Sequence, residues 1–263
     1  MRCLPSRIAI LGFTKLELGK SNNMSRLRRM PRQQQPAARP VRRRSYDQFD
    51  ATARALDSVG DRWTLLIVRE LLGGPRRYTD LHADLPGVST DVLASRLKDM
   101  EQSGLALRRK LPPPSAASVY ELTERGHGLL PVLAALAEWG APALAERRPT
   151  DAVRAHWFAL PLLGALTGLT REGVLEVRLD EGEFHLHVGL RAGGGAGFVL
   201  PGAEAYGAVY GYGPADRPDA RIVLGAEVCL DLAQGGATLT EAVKDGRVEV
   251  LGDGPLAAEL RGE

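Results

Sequence analysis

The sequence predicts an α+β protein in two folded parts behind a basic arm, and three observations lead there. Residues 47–148 read as a series of short apolar-faced helices followed by a two-stranded hairpin with Arg108, Arg109 and Lys110 on its first strand. Residues 154–263 alternate short strands with short helices over roughly 110 positions, enough for a core of their own. Charge divides the same way. Residues 1–46 carry 12 Lys/Arg against one Glu, residues 47–148 carry 13 against 14 Asp/Glu, and residues 149–263 carry 9 against 17, so a net charge of +2 hides three different electrostatic objects.

The 263 residues, 44% hydrophobic and 25% charged, fit a globular chain of about two domains. No apolar run approaches the ~20 residues of a membrane span, and the run at 8–13 is too short for a signal-peptide core of ~7–15. A membrane is therefore not an expected partner. With only Cys3 and Cys229 there is no disulfide framework, which predicts a cytoplasmic protein.

The arm, 1–45, is rich in Arg, Gln and Pro and predicts no packed structure. Two readings stay open for it: a tail that contacts phosphates, or sequence upstream of a true start at Met24 or Met30. Ala53, Leu56 and Val59 then mark one face of a first helix. Asp61 is placed to cap a second, 62–72, which Gly73-Gly74-Pro75 ends. A short helix over 79–85 meets the Pro86-Gly87 turn. Ser89 caps the next helix, which runs to about 103 and stops at Gly104. Strands at 105–111 and 118–122 flank Pro112-Pro113-Pro114. Thr123 opens a last helix carrying Leu129, Val132, Leu133, Leu136 and Trp139. Two helices about a tight turn and then a basic hairpin are the sequence form of a winged helix-turn-helix, which lays one helix in the DNA major groove. The same pattern also fits a protein-interaction fold.

On the helix that Ser89 opens, Val92, Leu93, Leu97 and Met100 are expected to pack inward. Thr90, Asp91, Ala94, Ser95 and Lys98 then face out, with small polar groups at the end that reaches base edges. Arg96 lies on the boundary. Arg76, Arg77, Arg108 and Arg109 suit phosphate contacts, which fix register without reading sequence. With Thr79 and Ser89 these residues form the candidate double-stranded DNA site.

Residues 47–140 resemble the HxlR family of bacterial winged-helix regulators in the segments ARALDSVGDRWTLLIVREL, GPRRYTDL, PGVSTDVLASRL, MEQSGL and YELTERG. The resemblance implies a homodimer joined through the first and last helices of this domain, with Phe49, Leu56, Leu133, Leu136 and Trp139 at the interface. It implies that the Ser89 helix enters the major groove and that the 112–117 hairpin reaches the backbone or minor groove. Two positions depart from the family. Asp50 stands where many members carry a sensing Cys, and neither Cys3 nor Cys229 replaces it. Asp91 stands where relatives often have Asn or a basic residue. Asp91 accepts from cytosine N4 in one reading and complements the helix dipole in the other.

After a linker at 141–153, helical patterns are expected at 155–169, 227–233, 239–244 and 255–260. Strands are expected at 174–179, 183–190, near Phe198 and Ala208, at 221–224 and at 247–251. Thr238 and Glu241 have capping-box spacing. The stretch PDARIVLGAEVCLDLAQGGATLTEAVKDGRVEVLGD is similar to the C-terminal part of sterol-carrier-protein-like domains. That resemblance implies binding of a small apolar or amphipathic effector and no catalysis. Trp157, Phe158, His185, His187, Tyr206 and Tyr210 are the candidate ligand-binding residues, and the aromatic ones also fit a plain core. Glu183, His185 and His187 alternate on one strand face, as a zinc set or as a polar solvent face opposite Phe184, Leu186 and Val188. The second reading is the one taken, so no metal is expected. The Gly193–Gly197 run lacks the Lys-Ser/Thr of a phosphate loop and reads as a turn. No nucleophile elbow or other catalytic set is present, so neither an enzyme nor a cofactor is expected. Two functions fit: a ligand-modulated transcription regulator, and a small-molecule carrier that keeps a degenerate winged helix for dimerisation.

Overall fold

The computed structural model describes residues 45–144, 147–189 and 209–263, which belong to one compact unit. The basic arm, the Gly193–Gly197 run, Tyr206 and the strands expected near Phe198 and Ala208 lie outside the described residues.

Helix α1 (Ala51–Val59) starts where Asp50 Oδ2 accepts from Ala53 N at 2.8 Å. Helix α2 (Thr64–Leu72) starts two residues later than the sequence suggests. Asp61 is not its cap: its carbonyl accepts from Thr64 N at 3.2 Å and its carboxylate pairs with Arg96. The α2 stripe Ile67, Val68, Leu71 and Leu72 is fully buried. Helix α3 (Tyr78–Asp84) and helix α4 (Thr90–Gln102) enclose the Pro86-Gly87 turn. Ser89 Oγ accepts from Val92 N at 3.3 Å and so caps α4 as expected. Leu93, Leu97 and Met100 line its buried side, but Val92 does not join them and is 39% exposed. The correction is geometric, because burial repeats at 93, 97 and 100 and position 92 is turned about 100° from 93. Gly104 leaves the helix at φ 67°, a left-handed turn that glycine takes without strain.

Strands β1 (Ala106–Lys110) and β2 (Ser118–Leu122) form the antiparallel hairpin, with Arg108 opposite Tyr120 and Arg109 opposite Val119. Arg76 adds a rung to its free edge through two backbone bonds with Tyr120, at 2.9 and 2.8 Å. The single last helix expected from Thr123 is two: α5 (Glu124–His127), capped by Thr123, and α6 (Leu130–Gly140). Pro131 explains the break, since it has no N–H to give an earlier turn and fits only the start of a helix.

The segment expected to be one helix over 155–169 is a 3-10 turn, Ala155–Phe158, running into α7 (Ala159–Ala165). Strands β3 (Gly173–Leu179), β4 (Gly182–Val188), β5 (Tyr210–Tyr212), β6 (Ala220–Leu224) and β7 (Val248–Leu251) form a sheet of order β5-β4-β3-β6-β7. Among the described strands, only the β3–β6 pair is parallel. Helices α8 (Ala226–Ala233) and α9 (Leu239–Lys244) link β6 to β7, and α10 (Pro255–Arg261) ends the chain. The capping box at Thr238 and Glu241 forms in full.

Alternation gives this sheet two unlike faces. Leu175, Val177, Phe184, Leu186, Val188, Ile222 and Leu224 are buried on one, where the 155–158 turn and α7 pack on β4. The other carries Glu176, Arg178, Glu183, His185, His187 and Arg221, in register across β3, β4 and β6.

Candidate nucleic-acid interface

The outward surface of α4 is built by what holds the helix from behind. The three buried side chains fix its rotation, Ser89 closes its first turn, and Tyr78 Oη donates to the Thr90 carbonyl at 2.7 Å, tying its start to α3. Thr90, Asp91, Ala94, Ser95 and Lys98 are exposed as expected. Among the described residues, no side-chain partner is found for Thr90, Asp91, Ser95 or Lys98. Asp91 lies in the first turn, where a carboxylate complements the helix dipole.

The arginines divide into presented and committed groups. Arg77 and Arg108 are exposed, and Arg77 reaches Ser115 Oγ at the hairpin tip at 3.4 Å. Arg109 is exposed but forms a forked pair with Glu121 at 2.9 and 2.7 Å, which holds its guanidinium above the usual pKa. Arg96 is paired with Asp61 and Asp99. Arg76 faces inward, pairing with Asp84 and lying 3.8 Å over the Tyr212 ring. Thr79 is exposed beside Asp80.

On α1 and α6, Leu56, Leu136, Trp139 and Val132 are exposed, and Phe49 just before α1 is wholly so. Leu133 is buried within its own chain. Val132 is an exposed apolar residue that the interface reading had not included.

Residues 58–148 match the HxlR-like helix-turn-helix family. YvaP of Bacillus subtilis, described as an uncharacterized HTH-type transcriptional regulator, is 37% identical over 86 residues, which are 33% of this chain and 80% of that protein. The chain belongs to the HxlR family. The HTH-type transcriptional regulator YodB of the same organism is 35% identical over 85 residues, 32% of this chain and 76% of YodB. The solved reduced form of YodB is 30% identical, with a TM-score of 0.34, and the match covers 40% of this chain and all of that one. HxlR proteins are helix-turn-helix transcriptional regulators, not enzymes. The matched region holds α2 to α6 and the hairpin, and the five-stranded sheet lies beyond it.

That sheet is bonded to the HxlR region at the end of α2. Val209 N donates to the Leu72 carbonyl at 2.9 Å, Tyr210 Oη to that of Arg69 at 2.7 Å, and Tyr212 Oη to that of Glu70. A helix leaves its last carbonyls short of internal donors, and here the edge strand and the residue before it add theirs to the Gly73 and Gly74 amides. Gly73 makes the approach possible, because a Cβ there would lie 2.5 Å from the Tyr212 ring and 2.6 Å from that of Tyr210.

Beneath those tyrosines lies Glu70, with no solvent exposure. Its carboxylate accepts from Arg69 (2.7 Å) and Trp157 Nε1 (3.0 Å) and lies 2.7 Å from His156 Nε2. Burial alone raises its pKa, but the His156 hydrogen bond and the charges of Arg69 and His156 outweigh it and hold the carboxyl below the usual range. Burial pushes both Tyr210 and Tyr212 upward, with neighbouring negative charge adding to it. Glu70, Asp84 and His156 offer ligand atoms within 4.8 Å of one another. Arg69 and Arg76 already neutralise the two acids, so the set suits a salt-bridged junction better than a divalent cation.

The candidate ligand residues therefore fall into two groups. Trp157 and Tyr210 meet at this junction and Phe158 packs against the buried core, whereas His185 and His187 stand on the opposite, polar face of the sheet. On that face Glu176 is fully buried; burial raises its pKa, but Arg221, the Ala215 amide and Arg178 together bring it below the usual value. Cys229 is fully buried in the core, and burial pushes its thiol up to about 12, with Glu181 and Glu227 adding to it. Glu70 went unnoticed in the sequence. Its signal was a carboxylate inside the apolar stripe of LLIVRELL, and beyond the adjacent Arg69 its partners lie 86 and 87 positions away.

Proposed function

We propose that this HxlR protein is a cytoplasmic regulator that binds a pseudo-palindromic operator as a homodimer. Helix α4 lies in the major groove, and the β1–β2 hairpin, with Arg77 and Arg108, contacts the backbone. The observation that carries this reading is the surface at the start of α4, where Thr90, Asp91, Ser95 and Lys98 are exposed without side-chain partners among the described residues while Arg76 and Arg96 are paired. Base edges supply the donors and acceptors those side chains lack. The exposed Phe49, Leu56, Leu136 and Trp139 support pairing of two copies through α1 and α6, which sets half-sites about 34–36 Å apart.

The C-terminal region, sterol-carrier-like in its β6-to-β7 sequence, holds a small apolar or amphipathic effector in this reading. The β5–α2 junction gives such a ligand a route to the DNA-binding region. A ligand shifts operator binding only if it binds the competent and incompetent dimers unequally. The test is selection of genomic fragments by the purified full chain at fixed, near-physiological salt. A shared palindrome is the expected result. Unrelated fragments that dissociate on a modest rise in salt would overturn operator recognition.

A further inference from the structure

Val92 is the one large apolar side chain that α4 leaves at its surface, 39% exposed on a helix whose Asp91 and Ser95 are exposed too. It occupies the third position of the helix, and its own amide is bonded to the Ser89 cap. The first turn is fixed from both sides by that cap and by Tyr78 on the Thr90 carbonyl. A β-branched side chain in a helix keeps essentially one χ1 rotamer, so the two methyls of Val92 are held in a set direction. The burial pattern of the helix does not need Val92, since Leu93, Leu97 and Met100 fill its inner side.

We propose that Val92 is a specificity residue that reads thymine through its C5 methyl group. This inference rests on the operator-binding reading above. In the major groove the four bases differ by donors, acceptors and one apolar feature, the thymine methyl. Thr90, Asp91 and Ser95 answer donors and acceptors, while a preset isopropyl group answers a methyl. Val92 therefore separates T·A from C·G at one position of each half-site, beside whatever Asp91 and Ser95 select.

The experiment replaces each thymine of a selected operator in turn by deoxyuridine, which keeps every hydrogen-bonding group and removes only the methyl. Affinities are measured for the full chain, for Val92→Ala and for Val92→Ile, at one salt concentration. The wild-type chain is expected to lose about three- to fivefold in affinity per half-site at one thymine, the size of one buried methyl contact. Val92→Ala should bind the thymine and deoxyuridine operators alike, and Val92→Ile should keep the preference. Because the side chain is part-exposed, both variants should unfold at the wild-type denaturant midpoint. Indifference of the wild-type chain at every thymine, an undiminished thymine preference in Val92→Ala, or half-sites without thymine would each overturn the assignment while leaving operator binding intact. Failure to select any sequence would overturn the regulator reading and this assignment with it.

Discussion

The end of α2 and the start of α4 are both polar surfaces on helices of the same small domain, and they are treated in opposite ways. At α2, the Arg69, Glu70 and Leu72 carbonyls accept from residues 209–212 at the sheet edge, and the Glu70 carboxylate is held by Arg69 and by His156 and Trp157 of the 155–158 turn. At α4, Thr90, Asp91, Ser95 and Lys98 are exposed without side-chain partners among the described residues. Buried polar groups must be satisfied, because an orphan costs about 1–3 kcal/mol, whereas water satisfies exposed ones until something better arrives. The contrast separates the part of the domain committed to its own architecture from the part available to a partner.

The largest expected effect comes from breaking the committed side. Glu70→Ala removes the acceptor shared by Arg69, His156 and Trp157 and should cost about 3 kcal/mol or more of stability, measured by urea unfolding. A loss under about 1 kcal/mol would mean that the network is bystander packing. Gly73→Ala should cost about 1–3 kcal/mol by forcing the Tyr210 and Tyr212 rings away, and the same unfolding curves would show no loss if the junction yields freely.

Acid should act on the same residues. The folded pKa of Glu70 is depressed, so its contribution is present above the unfolded value near 4.3 and is lost as pH falls through the lower folded value. Glu176 acts in the same sense. Unfolding free energy should therefore drop below about pH 4, and the drop should be shallower in Glu70→Gln. Equal slopes for the two proteins would remove Glu70 from the account.

The smallest effect on stability should come from the available side. Arg108→Ala with Arg109→Ala should change unfolding by no more than about 0.5 kcal/mol, because both are exposed. The same pair should weaken binding to operator and random DNA alike and reduce the salt slope by about 1, the Arg108 contact, because Arg109 is held by Glu121. An unchanged slope would place the hairpin off the DNA.

The α4 side of this contrast was largely legible in the sequence, and the α2 side was not. Ser89, Gly104 and the apolar repeat at 93, 97 and 100 act within one helix, so pattern alone locates it. Thr238 and Glu241 are legible for the same reason, as both halves of the capping box lie within four residues. Val92 was misplaced because apolar character was taken for burial, although a helix of this length fills its inner side with three residues. Asp61 was misplaced because a capping residue type also serves as an ion-pair partner, here for Arg96, 35 positions away. The junction depends on pairs separated by 86 to 142 positions, and no local rule joins Glu70 to His156 or Arg69 to Tyr210. The aromatic candidates were picked out by type, but what they attach to was set by the sheet topology.

One consequence concerns how this chain can be divided. Because donors from beside and within β5 bond carbonyls at the end of α2, a fragment cut after residue 148 would keep every residue that the HxlR match covers and still lose those donors. The sheet is not a removable passenger here: recombination that exchanged it for another cargo would have to replace Glu70, Gly73 and both tyrosines together. A cut at the boundary that homology draws across this molecule therefore exchanges these bonds for water.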